Sequence, residues 1–370
     1  MTSTFSFPTK IRFGIGAVNE LPQQFAALNI SRPLIVTDRG LVGTPALAAL
    51  EKISQGKWPV FSGVQPNPSA DDVEAAAAAF RDHRCDGVIA FGGGSALDVG
   101  KALRLRIKGP EKSLAEFDFG ADWGGLASCI AIPTTAGTGS EVGRSSVIIL
   151  DGRKKVIFHP KLLADLVVLD PEFTRGLPPK LTAATGADAL THCLESFTSP
   201  TFHPLCDGIA LEGLRLIARA LPTAVRDGNN LEARGQMQMA AMMGGIAFQK
   251  DLGATHSLAH PLSAICGLHH GLANALCLPV VMEFNAKRKP GIYRRVAVAC
   301  ELERSDDVST IAWVRKLFLE IGLAPGLRAH GVNESHLNAL TDQASEDSCH
   351  LTNPVPVTKE DLRALYEAAL

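Results

Sequence analysis

The sequence predicts an α/β fold: an N-terminal domain with a Rossmann-like parallel sheet, followed by an all-helical domain. Short β-rich runs alternate with helical stretches up to about residue 175, the pattern of parallel strands joined by crossover helices. Beyond that point long helical patterns follow with little β signal. At 370 residues the chain is too long for one ordinary core. The expected domains are therefore residues 1–179 and 180–370, with the Pro-rich GLPPK at 176–180 as the break and a cleft between them.

Taken in order, FSFPTKIRFG reads as an edge strand open to pairing with a second copy. PLIVTD (33–38) is a strand, GTPALAALEKI a helix, WPVFSGV a strand, DDVEAAAAAFRDH a helix and GVIAFGG a strand. CIAIPTT (129–135) and ADLVVLDP (164–171) add two more strands. After residue 180, CDGIALEGLRLIARAL and NNLEARGQMQMAAMMGGIAF carry helical periodicity.

Composition narrows the function. Hydrophobic content of 46%, charged content of 20% and a net charge of −2 give no electrostatic bias toward nucleic acid or membrane, so a small-molecule partner is expected. The start of the chain lacks the basic, apolar and small-residue segments of a signal peptide, and no apolar run approaches the roughly 20 residues a span needs. A cytoplasmic protein is expected. Eight cysteines without a CxxC pair read as reduced, buried thiols.

Chemistry concentrates in two places. In GVIAFGGGSALDVGKAL (87–103) a buried strand runs into Gly92, Gly93 and Gly94 and then a helix, with Ser95 placed to cap it. Backbone N–H groups of such a turn bind phosphate, and glycines let the phosphate come close. GGGS is not the usual GxGxxG. Asp38, ending a strand, is placed to accept from ribose hydroxyls and to repel a 2′-phosphate, which favours NAD over NADP; a loop-capping Asp has the same spacing. PTTAGTGSEVGRSSVI (133–148) offers further hydroxyls and glycines after a strand. In the second half, Asp188 and His192 stand one helical turn apart and share a face. With His256 and His270 they make a set of one carboxylate and three imidazoles, suited to Fe(II), Zn(II) or Mn(II) rather than Mg or Ca. An open position on such an ion polarises a substrate oxygen.

The segments GGGSALDVGK, PTTAGTGSE, DPE, ATGADALTHCLE, HSLAHPL, HHGLANALCLP and the tail LTNPVPVTKEDLRALYEAAL occur in one order over nearly the whole chain. By them the chain resembles the iron-containing (group III) alcohol dehydrogenase family. The resemblance implies NAD and a divalent metal, Fe(II) first, as cofactors, and a homodimer. It implies that Gly92, Gly93, Gly94 and Ser95 meet the pyrophosphate, that Asp98, Thr134, Thr135 and Thr138 line the cofactor groove, that Lys154 approaches the nicotinamide ribose and that Asp38 holds the adenosine ribose. Its metal ligands fall on Asp188, His192, His256 and His270, the family's HG step selecting His270 over His269. His260 matches a histidine beside the metal that is not a ligand, and is expected to carry protons, turned by a helix kink at Pro261.

For the substrate, the resemblance places Arg144, Ser145, Lys250 and Cys349 at the pocket. FQKDLG is one residue shorter than the corresponding family stretch. Two cations there suit an aldehyde with an anionic far end. GSEVGR, FQKDLG and CHLTNP most resemble the 4-hydroxybutyrate dehydrogenase and succinic semialdehyde reductase branch. The alternatives are a generic short-chain alcohol or diol dehydrogenase and a reductase of a phosphono- or sulfo-aldehyde. A dehydroquinate synthase-like lyase is disfavoured by GTGSE and HHGLAN, and a maleylacetate reductase by the complete ligand set.

Overall fold

Runs rich in Val, Ile and Leu, without polar alternation, belong in sheets covered on both faces. The computed structural model describes residue 7, residues 9–118 and residues 120–370. Its strands among these residues are β1 (Lys10–Phe13), β2 (Pro33–Asp38), β3 (Val60–Val64), β4 (Gly87–Gly92), β5 (Ser128–Pro133), β6 (Ser145–Leu150), β7 (Arg153–Phe158) and β8 (Leu166–Leu169). Six of them form one sheet in the order β1-β8-β5-β4-β2-β3, every pair parallel. The inner strands β4 and β8 are buried along their whole length, whereas β1 and β3 at the two margins are largely open. Phe5, Ser6 and Pro8 of the expected edge strand lie outside the described residues, and its remainder forms β1.

The crossovers are α1 (Leu21–Leu28), α2 (Pro45–Ser54), α3 (Ala70–Asp82) and α4 (Gly94–Lys108). Two begin with ordinary caps. Thr44 accepts from the Leu47 N–H ahead of α2, and Ser69 and Asp72 form a capping box on α3. Strand order reverses at β2 and β4: from β2 the chain steps outward to β3, then returns to β4 and continues through β5 toward β8. In open α/β sheets that reversal, at the carboxyl ends of the strands, is where ligands bind.

A second sheet lies outside the predicted pattern. β6 and β7 form an antiparallel hairpin. Asp151 and Gly152, both with positive φ, make its turn, and the alternating burial of β6 flanks it. Asp-Gly between such runs is a strong short-range hairpin signal, so this element is legible in the sequence.

From residue 178 onward the chain is helical: α5 (Pro179–Thr198), α6 (Pro204–Arg226), α7 (Leu231–Ala247), α8 (Ala254–Cys266), α9 (His270–Arg288), α10 (Arg294–Ala299), α11 (Asp307–Glu320), α12 (Leu337–Glu346) and α13 (Lys359–Ala369). The described residues fall into two compact units, residues 7–135 with 139–177 and residues 136–138 with 178–370. The helical unit has two apolar clusters. One draws on α5, α6, α7, α10 and α11, the other on α8, α12 and α13. α9 serves both, with Leu278 and Met282 in the first and Cys277 and Val281 in the second. Asp188 on α5, His256 on α8 and Asn274 on α9 are therefore deep in the unit. Among the described residues no helix is long and apolar enough to cross a membrane.

Candidate active site

α5 carries small residues, Ala183, Ala184, Gly186, Ala187 and Ala189, and is buried along nearly its whole length. A side chain at Gly186 would overlap Leu221, 2.3 Å from its Cδ1. Gly271 matters more: a Cβ there would lie 2.0 Å from the Ala184 carbonyl oxygen and 3.2 Å from Asp188 Cβ. Only glycine lets the first turn of α9 meet α5 this closely, and that approach brings His270 to Asp188. The HG step thus has a steric cause.

The four expected ligand residues converge. Their ligand atoms all lie within 4.8 Å of one another. From Asp188 Oδ1 the distances are 3.5 Å to His270 Nε2, 3.8 Å to His192 Nε2 and 4.0 Å to His256 Nε2. Burial pushes the Asp188 carboxyl up, but His192, His270 and His256 outweigh it and hold it below the usual carboxylate range. Burial lowers His192, and drives His270 well below the ordinary imidazole value. A carboxylate among imidazoles is the donor set a borderline divalent ion requires. No Lys or Arg forms an ion pair with Asp188 among the described residues to compete for that place.

Two residues of the site are absent from the sequence-based set. Glu195, buried on α5 one turn beyond His192, accepts from His256 Nδ1 at 2.6 Å and from the N–H groups of Thr255 at 2.7 Å and Gly253 at 3.0 Å. It orients the ring so that Nε2 faces Asp188, the carboxylate-to-histidine support common behind metal-binding imidazoles. Burial lowers the His256 pKa, but Glu195, with Asp188 and Asp347 behind it, more than offsets this, so the net shift is upward. The spacing Asp188, His192, Glu195 runs along one helix face and is an available signal. Asn274, fully buried one turn after His270, places Nδ2 2.8 Å from Asp188 Oδ1, 3.2 Å from His270 Nε2 and 3.4 Å from His256 Nε2. Its Oδ1 has no partner among the described residues.

His260 lies beside this cluster, its ring stacked on His270 at 5.3 Å and edge-on to His256 at 5.9 Å. Its Nδ1 is 2.7 Å from Asp347 Oδ2, and its side chain is 40% exposed. The ring is therefore anchored at one nitrogen and open to solvent. α8 continues as helix through Pro261, where the sequence suggests a kink. No break is needed to aim the ring, because Asp347 orients it, a contact the sequence does not display.

In the α/β unit, Gly92 closes β4 with φ of 150°, and a Cβ there would sit 2.7 Å from Ala96 Cβ and 3.4 Å from Asp38 Oδ2. Asp38 and Gly92 thus share the carboxyl edge at the strand reversal. Gly100 allows α4 onto β4, since its Cβ would be 2.4 Å from that of Ala90. Ser95 does not cap α4. Gly93 is the cap residue, no side chain bonds there, and Ser95 lies inside the first turn. A helix start without a side-chain cap leaves N–H groups for an anion. The Asp38 carboxylate has one oxygen on the Gly40 N–H at 2.8 Å, so it does cap its loop, with Oδ2 on the Gly92 side.

The loop after β5 is held by buried charge. Thr134 N–H bonds the Gly92 carbonyl at 3.0 Å, and Thr135 lies 3.6 Å from where a Cβ on Gly93 would be. Asp98 accepts from Ser140 Oγ at 2.7 Å and Val147 N–H at 3.1 Å and pairs with Lys101 at 3.1 Å, so its carboxylate holds the loop to α4. Lys101, 2% exposed, also donates to the Ser140 carbonyl at 3.0 Å and to the Ser145 carbonyl. Ser145 opens β6, Thr138 is part-buried ahead of Gly139, and Lys154 lies on β7 opposite Ile149.

Of the two pocket cations, one is corrected. Lys250 is 2% exposed and its ammonium pairs with Asp207 and donates to the Phe197 carbonyl at 3.3 Å, so it has no free charge for a substrate anion. Arg144 is part-buried with its guanidinium 5.2 Å from the Phe158 ring and has no carboxylate in ion-pair distance among the described residues. Cys349 is part-buried, with its N–H on Asp347 Oδ1 at 2.9 Å.

Comparison with known proteins accounts for both units. Residues 8–171 match the model for iron-containing alcohol dehydrogenase, and residues 182–370 that for the C-terminal part of the Fe-containing alcohol dehydrogenase family. The chain is 40% identical to a 4-hydroxybutyrate dehydrogenase of Cupriavidus necator over 98% of each chain. Among solved structures it resembles a 1,3-propanediol oxidoreductase, with a TM-score of 0.94, 32% identity and complete coverage of both chains. It is also similar to a sulfoacetaldehyde reductase from Bifidobacterium kashiwanohense in complex with NAD+, with a TM-score of 0.92, 31% identity and coverage of 100% of this chain and 99% of that one. The chain therefore belongs to the iron-containing alcohol dehydrogenases, NAD- and metal-dependent oxidoreductases that interconvert alcohols and aldehydes.

Proposed function

We propose that this enzyme interconverts a short primary alcohol and its aldehyde, with an anionic group at the far end of the substrate, as in 4-hydroxybutyrate and succinic semialdehyde. In this reading residues 180–370 hold the metal through Asp188, His192, His256 and His270, and residues 1–179 hold NAD. The observation that carries it is three imidazole Nε2 atoms within 4.0 Å of one oxygen of Asp188. A divalent cation held there supplies Lewis acidity toward a substrate oxygen, while NAD supplies the hydride acceptor.

The chain's own residues do the rest. Glu195 fixes the tautomer of His256 so that its Nε2 lone pair faces the ion. His260 passes the substrate proton to solvent through its exposed edge, with Asp347 holding Nδ1 and leaving Nε2 for the transfer. Gly92, Gly93, Gly94 and Ser95 take the pyrophosphate on backbone N–H groups, and Thr134, Thr135, Thr138 and Lys154 complete the groove. Asp98 positions the loop instead of touching the cofactor. Asp38 keeps Oδ2 for a ribose hydroxyl and excludes a 2′-phosphate, favouring NAD.

Support for the anionic substrate comes from the Cupriavidus necator relative's name and from Arg144, whose guanidinium lacks a protein carboxylate among the described residues. With Lys250 neutralised, Arg144 alone orients the anion. The enzyme works as a cytoplasmic homodimer in this reading, supported by eight free cysteines and by β1 at the open margin of the sheet. The test is kcat/KM for succinic semialdehyde, phosphonoacetaldehyde and butanal in wild type and Arg144→Ala. Loss of a charge-assisted hydrogen bond, about 1.5–3 kcal/mol, lowers the values for the anionic aldehydes by roughly 10- to 150-fold and leaves butanal unchanged. Equal preference among the three in both proteins removes the anion site.

A further inference from the structure

Beside the Asp188 cluster a second group of metal-ligating side chains converges that the reaction above uses only in part. His260, Asp347 and Cys349 each offer a ligand atom, and the three atoms lie within 4.8 Å of one another. They come from different elements, His260 from α8, Asp347 from the end of α12 and Cys349 from the short turn Ser348–Thr352 that follows. The arrangement is stiff. Ser257 Oγ donates to Asp347 Oδ1 at 2.9 Å and accepts from the His350 N–H at 2.8 Å, while the Cys349 N–H bonds the same Asp347 oxygen at 2.9 Å. The Asp347 carboxylate and the Cys349 backbone are thereby fixed together beside His260.

We propose that His260, Asp347 and Cys349 form a second cation site, selective for a borderline or soft divalent ion such as Zn2+ or Cd2+ and distinct from the Asp188 site. One nitrogen, one oxygen and one sulfur donor match ions that accept thiolate, and exclude Mg2+ and Ca2+, which bind oxygen. Ligand bonds of roughly 2.0–2.3 Å in a tetrahedron separate donor atoms by about 3.3–3.8 Å, inside the observed limit. The 2.7 Å contact between His260 and Asp347 opens by about 1 Å to admit the ion. Access is present, since the His260 side chain is 40% and that of Asp347 20% exposed, and the fourth position falls to water. Cysteine and aspartate supply two negative charges that balance the cation, and binding releases the thiol proton to solvent.

An ion here holds the ring that carries the substrate proton. Occupancy therefore inhibits the enzyme, a consequence that rests on the proton-carrying role of His260 proposed above, whereas the site itself does not. The experiment uses the enzyme with its Asp188 site loaded, titrated with Cd2+ and followed by the thiolate-to-cadmium ultraviolet band and by metal content after desalting. Wild type gains the band and one further equivalent of metal. Cys349→Ser loses both and keeps the first equivalent, His260→Gln weakens them at least tenfold, and Cys266→Ser, changing the other part-buried thiol, leaves them intact. In Asp188→Asn the band persists while the first equivalent is lost. A wild type that stops at one equivalent, or a band undiminished in Cys349→Ser, overturns the site. Zn2+ that inhibits wild type and Cys349→Ser equally, while the band still follows Cys349, keeps the site and overturns the role of His260.

Discussion

At the end of β4 the chain presents backbone, and on α5, α8 and α9 it presents side chains. The turn at Gly92 works because nothing projects from it. Its φ of 150° and the 2.7 Å approach to Ala96 leave no room for a Cβ, and no side chain caps the helix behind. The Asp188 cluster works because polar side chains converge there, three of the four buried, and two are held by named partners: Asp188 by three imidazoles and Asn274, His256 by Glu195. A backbone site is damaged by adding atoms, and a side-chain site by removing charge. The same glycine logic also serves the second region, where Gly271 lets α9 meet α5.

Four measurements sharpen or break this contrast. The largest effect belongs to Asp188→Asn, which keeps the shape and removes the only carboxylate of the set. A metal ion's contribution of several kcal/mol then disappears, lowering kcat/KM by about 10³-fold or more, with metal content falling in parallel. Full metal occupancy with normal rates would break the comparison.

Next is a pH effect in the α/β unit. Burial raises the Glu141 carboxyl from 4.5 to about 7, against a lowering by its own backbone N–H and Lys101. Between those values the folded chain keeps a proton that the unfolded chain releases, so stability falls as pH rises from about 4.5 to about 7 and the loss is complete above that. The shift corresponds to roughly 3 kcal/mol. In Glu141→Gln this component vanishes, as urea unfolding at pH 5 and pH 8 will show. An identical pH slope in both proteins refutes it.

Gly92→Ala adds one methyl group where φ and Ala96 both oppose it. About 1–3 kcal/mol of strain follows, read as a lower Tm together with a raised Kd for NAD. An unchanged Kd would mean the turn does not meet the cofactor. The smallest effect is Glu195→Gln. It keeps the oxygen and loses the charge behind His256, and supporting residues of this kind cost about 10- to 100-fold in metal affinity. Metal competition titrations measure it, and an unaltered affinity would mean that Thr255 and Gly253 alone need Glu195.

How much can be read from the sequence differs between the regions for the same reason. The Gly92 turn, Asp38 and the strands of the sheet lie within short windows, where pattern and backbone chemistry act locally. The Asp151-Gly152 hairpin is equally local, and its turn dipeptide is the signal that marks it. Glu195 is accessible from its spacing after Asp188 and His192. Asp347 is not, because 87 residues separate it from His260 and nothing nearby marks the contact. Lys250 misleads in the same way: its charge is cancelled by Asp207, 43 residues earlier.

The amino-acid sequence by itself determined which residues carry chemistry, where strands and helices alternate, and that one carboxylate and three imidazoles recur at fixed spacings. Only the tertiary structure decided which charges are spent, since Asp98 goes to Ser140 and the Val147 N–H and Lys250 to Asp207, and which histidine nitrogen faces the cluster. The physical reason is distance. Secondary structure is set by neighbours along the chain, whereas the state of a buried charge is set by whichever partner packing brings within a few ångströms.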